Sequence, residues 1–291
     1  MFWERFRIPL MLAPTLFVII ALFMGGLGYG LLQSLGWQPI IDNYDINLDA
    51  YWNVMFSERY ANEFWQGLAL TLWVSIGSTF FSAVIAILSA LLLRETFFGK
   101  KLASFLFQLN LPIPHIVIGI GMLFLFSQSG LVSRMGAAAD LIERTRDFPI
   151  LVKDHLGIGI IMAYVWKEVP FIGVIVLAVL QSLGADFEDV ARSLGANRWQ
   201  RFRHVILPLV MPGVMSGSII VFAFTFGSFE VPALLGVSFP RVLPVMAVRF
   251  FRNPDLNARV EGTAVAMIVA LIALILVLLY MWVSRKAIRQ E

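Results

Sequence analysis

Residues 187–214 read FEDVARSLGANRWQRFRHVILPLVMPGV, a polar, arginine-rich segment set between long apolar runs. Its apolar residues recur at helical spacing: Phe187, Val190 and Leu194, then Trp199, Phe202 and Ile206. Gly195 separates the two groups. Glycine reaches positive φ without the steric cost other residues meet, so the spacing predicts two short helices joined by a turn there. Arg192, Arg198, Arg201 and Arg203 alternate with the apolar positions, and Leu207-Pro208 closes the segment just ahead of the next apolar run. Such an amphipathic element suits docking on a protein partner. Arg with Trp also suits a helix lying on a lipid surface. The mid-segment glycine and the Leu-Pro exit favour docking.

The surroundings give the segment its meaning. The chain is 59% hydrophobic and 14% charged, with a mean hydropathy of +0.82, whereas soluble domains average about 45–50% apolar and about 25% charged. An all-α polytopic membrane protein follows, with the lipid bilayer as its main solvent. Six stretches approach the roughly 20 apolar residues a span requires: about 8–32, 65–93, 102–128, 156–183, 208–235 and 260–283. The first begins like a signal peptide but runs on without a small-residue cleavage site, so it reads as an uncleaved span. The chain then divides into a first span with its outer loop (1–64), a core of five spans (65–285) carrying the polar segment at about 187–206, and a tail (286–291).

Lys and Arg near the span ends set the orientation. A cytoplasmic N-terminus places twelve of them on that side, from Arg5 and Arg7 through Arg94, Lys100 and Lys101 to Arg285, Lys286 and Arg289, against nine on the other. Cytoplasmic N- and C-termini in a bacterial inner membrane are the expectation. The outer loops, 34–64 and 130–155, are longer than tight turns need. AAADLIERTR in the second reads as a short amphipathic helix. These loops either form a docking surface for a soluble partner or merely cap the bundle.

Charged residues at membrane depth are informative, because each costs about 2.5–3.5 kcal/mol at a span centre. Lys167, Glu168 and Glu230 are three such residues, next to Pro170 and Pro232. They line a solute path together with Phe229, or Lys167 pairs with Glu230 to tie spans four and five, or all three lie near an interface and are solvated. Gln108, Asn110, Pro112, Pro114 and His115 crowd eight residues of span three, as in a broken helix with polar side chains. His115 lacks a second ligand at metal spacing and reads as a hydrogen-bonded structural residue. GGLGYG at 25–30 sits in an apolar span without a preceding strand, so it reads as close helix packing through Gly26 and Gly30 rather than as a phosphate loop.

Several classes drop out. The chain has no cysteine, which excludes disulfides, thiolate metal sites and cysteine nucleophiles. HExxH, GxSxG and paired aspartates within spans are absent, so the chain does not read as an enzyme. The net charge of +3 gives no reason to expect a nucleic-acid partner. An autonomous secondary carrier, the alternative of a different class, typically shows internal repeats and more spans. No GxxxxGK[ST] occurs, so no cofactor is expected on this chain and any ATP would be bound by partner subunits.

At residues 187–214 the chain resembles the inner-membrane permease subunits of ATP-binding-cassette importers of the binding-protein-dependent type. The match is Asp189-Val190-Ala191, Gly195 and Leu207-Pro208, followed by Pro212-Gly213. Asp189 stands where Glu is usual and Val190 where the first Ala is usual. The resemblance covers roughly residues 60–285 and implies six transmembrane helices of the type I importer kind. It implies an ATPase-coupling role for Glu188, Asp189, Ala191, Gly195, Arg198, Trp199, Phe202, Leu207 and Pro208. It also implies partners: a dimer of cytosolic ATPases, a second permease (homologous or identical), and a periplasmic or lipid-anchored solute-binding protein. Within the family, FTFGSFEVPALLG (224–236) and VWKEVPF (165–171) look most like polyamine (spermidine/putrescine) permeases. Permeases for ferric iron, thiamine, sulfate or aminoethylphosphonate share much of that pattern.

Overall fold

The computed structural model describes residues 2–183 and 186–289. Met1, residues 184–185 and the last two residues of the expected tail lie outside the described residues. The architecture is helical. Among the described residues the one β pairing is an isolated bridge between Gln38 and Asn43. In chain order the helices are α1 (Phe2–Ser34), α2 (Asp49–Phe56), α3 (Ala61–Arg94), α4 (Lys100–Leu109), α5 (His115–Phe126), α6 (Leu131–Ala138) and α7 (Ile158–Leu183). There follow α8 (Asp186–Ser193), α9 (Arg198–Arg201), a π-helical turn (Phe202–Ile206), α10 (Leu207–Gly227), α11 (Glu230–Leu235), α12 (Leu243–Phe251) and α13 (Ala258–Arg289).

Among the described residues six helical stretches are long and apolar enough to cross a membrane: Met11–Ser34, Ala61–Arg94, His115–Ala138, Ile158–Ser182, Arg198–Gly227 and Ala258–Trp282. Two differ from the expected bounds. Span three begins at His115 rather than near 102, because the prolines at 112 and 114 remove backbone donors and break the run between α4 and α5. Span five stops at Gly227, and Glu230 opens the separate short helix α11. AAADLIERTR (137–146) is not a helix either. α6 ends at Ala138 and Asp140 turns the chain with φ of 55°.

The chain divides into two compact units. One comprises Met1–Trp65 and Met246–Val269. Its α1 is exposed from Met11 to Tyr29, as befits a helix clothed by lipid. Gly26 has nothing within 4 Å of a built Cβ, and Gly30 meets only Met267 Sδ at 4.0 Å. The expected close packing through Gly26 therefore does not occur among the described residues. The outer loop is tied by Ser34 Oγ to Tyr51 Oη (2.7 Å) and by the Asn47 N–H donating to Leu35 O (2.7 Å). Arg249 pairs with Glu63 at 3.1 Å.

The other unit comprises Gln66–Val245 and Ala270–Glu291, with α7 at its centre. Ile172, Val176 and Leu180 of α7 pack with Ala86 and Ala90 of α3 and with Val210, Val214 and Val221 of α10. Nearer the other end of α7, Ile160, Ala163 and Tyr164 pack with Ile118 and Met122 of α5 and Val231 and Leu235 of α11. Lipid tails are as apolar as these side chains, so close approach rather than expulsion of water holds such helices together. Small residues permit it. Built Cβ atoms on Gly213 and Gly217 fall 3.1–3.3 Å from Ile175 and Val179, so a side chain at either glycine would require those neighbours to give by a few tenths of an ångström.

Candidate functional site

Two constructions stand out in the second unit. The first is the segment from α8 to the start of α10. α8 ends in a Schellman arrangement: Ala196 N–H donates to Ala191 O (3.0 Å) and Gly195 N–H to Arg192 O (2.9 Å). Gly195 has φ of 83°, the left-handed conformation this motif needs, and a Cβ there would meet nothing within 4 Å. Asn197 then caps α9. Its side chain accepts from Gln200 N–H while the Gln200 side chain accepts from Asn197 N–H, both at 2.8 Å. Pro208 in the first turn of α10 has no N–H to give to His204. The helix widens into a π turn in which Leu207 N–H reaches Phe202 O.

The segment's apolar residues split between two environments. Phe187, Val190, Leu194 and Trp199 are 55%, 60%, 83% and 65% exposed. Phe202 and Leu207 pack onto the α3–α7–α10 core, and Ile206 is buried within it. Trp199 rests on Phe202 with ring centroids 5.6 Å apart, so the buried ring supports the exposed one. Asp189 and Arg198 are exposed, and Ala191 and Pro208 half-buried. Glu188 does not face outward. It accepts from Arg94 Nη2 at the end of α3. Arg94 and Glu188 stand ninety-odd positions apart, and no spacing pattern in the sequence marks them as partners.

The second construction lies where α4 breaks into α5. Lys167 Nζ donates to the backbone oxygens of Asn110 (2.9 Å), Leu111 (2.7 Å) and Ile113 (2.7 Å). Asn110 Nδ2 donates back to Trp166 O. The His115 ring meets Glu168 Oε1 through Nε2 at 2.8 Å, and Phe224 of α10 lies on that ring with centroids 4.3 Å apart. Lys167 and Glu168 are each 7% exposed. Three consecutive residues of α7 thus read the broken segment: Trp166 by its carbonyl, Lys167 by its ammonium and Glu168 by its carboxylate. Pro114 has no N–H to give to Asn110 O, and that oxygen is one of the three the ammonium takes.

Of the three readings of these charges, the Lys167–Glu230 pair is not formed among the described residues. Lys167 ties α7 to the α4–α5 break instead, because three backbone oxygens of that break lie within reach of its ammonium and α11 begins a new helix beyond it. Glu230 is exposed at the start of α11, and Phe229 caps that helix, accepting from Ala233 N–H at 2.8 Å. His115 is hydrogen-bonded, and among the described residues no cluster of His, Asp and Glu can hold a metal. The polar set 108–115 was visible in the sequence as a broken helix. The Trp166 carbonyl and the Phe224 ring were not, since neither differs in type from its apolar neighbours.

Comparison with known proteins places this geometry in context. The sulfate transport system permease protein CysT of Salmonella typhimurium is 30% identical over 180 residues, which cover 62% of this chain and 60% of that protein. The chain thus spans about three-fifths of that relative. The putative 2-aminoethylphosphonate transport system permease protein PhnV of Salmonella choleraesuis is 26% identical over 283 residues, 94% of both chains. The fold matches a chain in the crystal structure of a bacterial ABC transporter involved in the import of the acidic polysaccharide alginate. The TM-score is 0.79 with 98% of each chain covered, at 22% identity. The family model described as "Binding-protein-dependent transport system inner membrane component" matches residues 82–289, and the chain belongs to that family.

Proposed function

We propose that this chain is one permease subunit of an ATP-binding-cassette importer, moving a small solute by alternating access while partner subunits hydrolyse ATP. The observation that carries the reading is the glycine-turned segment at 186–206. It leaves Phe187, Val190, Leu194 and Trp199 exposed beside Asp189 and Arg198. Clustered aromatic and aliphatic side chains rimmed by arginines are what a groove on a protein partner takes up. The partners are a dimer of cytosolic ATPases at this segment, a second permease, homologous or identical, and a periplasmic or lipid-anchored binding protein. The bias of Lys and Arg toward the loops on the side of residues 94–101 and 186–206 supports cytoplasmic termini in a bacterial inner membrane.

The solute reading is a small oxyanion-bearing molecule of the phosphonate or sulfate type. It is supported by the names of the two relatives described above, one alignable over 94% of both chains. Neither name carries a polyamine. A polyamine is the second reading, favoured by the exposed Glu230 carboxylate, which has no ion pair among the described residues. On either reading the candidate path residues are Glu230 and Phe229, with Lys167 and Glu168 shaping the wall behind them.

Gly195→Asp tests the docking role. The variant should insert and fold yet lose co-purification with its ATPase; retained co-purification would sink the assignment of this segment. Mass spectrometry of the ligand carried by the co-purified binding protein tests the solute. A phosphonate or sulfate supports the first reading, and spermidine or putrescine replaces it with the second.

A further inference from the structure

α8 follows α7 by two residues and is attached onward in two further ways. Through α9 and the π turn it is continuous with α10, against which the π turn packs. Its second attachment is the Arg94–Glu188 ion pair, which reaches the last turn of α3. Both side chains are largely buried, 26% and 20% exposed, so the pair is screened less than one standing free in water. The same turn of α3 is gripped from the other side: Lys100 Nζ, at the start of α4, donates to Arg94 O at 3.0 Å. The end of α3, the start of α4 and α8 therefore meet at one residue.

Resting on the permease reading above, we infer that Arg94 and Glu188 are positioning residues that make α8 and the end of α3 move as one body. A displacement of the coupling segment by the ATPase is then delivered to α3 and α4 as well as to α10. Without the pair, α8 would pass its motion only to the helices it adjoins in sequence, α7 and α10, and not to α3 and α4. The apolar residues of α8 cannot supply this second link, because Phe187, Val190 and Leu194 face away from the chain.

The chain has no cysteine, so a single introduced pair reports cleanly. Nitroxides on Phe98→Cys, in the exposed turn between α3 and α4, and on Ser193→Cys, at the end of α8, are measured by pulsed electron spin resonance. The permease is held with its ATPase subunits in nanodiscs, nucleotide-free and trapped with ATP and vanadate. The expected result is one distance common to both states in the parent. Glu188→Gln and Arg94→Gln should each give distances that shift between states. Arg94→Glu combined with Glu188→Arg should restore the common distance, whereas a merely fold-stabilising role would leave one distance common to both states in every folded variant. The inference is overturned by a parent distance that already shifts, by glutamine variants that keep the common distance, or by a charge swap that behaves like the single variants. Failure of the permease reading shows itself separately, as a parent chain that binds no ATPase.

Discussion

The segment at 186–206 and the knot around the α4–α5 break invert one another. In the segment, large apolar side chains point outward: Leu194 is 83% and Trp199 65% exposed. In the knot, a lysine and a glutamate sit at 7% exposure inside a bundle of apolar helices. Each inversion is unfavourable unless something answers it. The knot is answered from within the chain, by three carbonyls for Lys167 and the His115 ring for Glu168. For the segment's outward side chains the described residues offer no cover. One region is satisfied within this chain, and the other leaves its apolar side chains uncovered among the described residues.

That contrast can be broken most forcefully at Lys167. Lys167→Met removes the only charged donor from three buried carbonyls and leaves Glu168 without a neighbouring cation. Losing one partner of a buried charged set costs about 3–5 kcal/mol. The expected outcome is a large fall in thermal stability in detergent, with Lys167→Arg intermediate because its planar fork cannot occupy the same three-carbonyl cradle. A Lys167→Met protein as stable as the parent would mean the break holds its own shape. His115→Ala should cost less, about 1–2 kcal/mol. The His115 side chain is 23% exposed, so water can partly replace it on Glu168.

Legibility followed the same division. The segment could be read almost residue by residue, because its features are local: an apolar period of 3.6, a glycine at the turn and a proline at the exit. Local spacing likewise predicted the break at 110–114. The partners that fill the break come from α7, over fifty positions away, and spacing along the chain carries no signal for them. The Lys167–Glu230 pair, one of three readings the sequence left open, does not form for that reason. Two opposite charges near membrane depth suggest a pair, yet freed backbone oxygens are equally good partners and here lie closer. The fifth span was overextended through a similar blindness: 228–229 are not apolar-poor enough to announce a break, though the backbone makes one there.

Gly195 probes the hinge of the segment. A Cβ at that site meets nothing, so any penalty comes from φ of 83° alone. Gly195→Ala should cost about 1–2 kcal/mol locally, and Gly195→Asn less, since asparagine visits the left-handed region more readily. ATPase co-purification should fall in the order Gly, Asn, Ala. An Ala variant that binds as well as the parent would show that the turn need not be left-handed for docking.

The smallest effect on the chain itself is the most telling. Phe187→Ser with Leu194→Ser replaces two outward side chains that stand exposed among the described residues. Exposed substitutions of this kind stay within about 0.5 kcal/mol, so thermal stability in detergent should be unchanged. If a partner groove receives these side chains, affinity for the ATPase should fall by about 2 kcal/mol or more, roughly thirtyfold. Titration of the purified permease with its ATPase reads that change directly. Had the segment instead lain on lipid, the same substitutions would weaken membrane association and leave the titration untouched. A stable variant with unaltered ATPase affinity would therefore transfer the segment from the protein partner to the bilayer surface, and the knot would be the only one of the two regions whose answer is known.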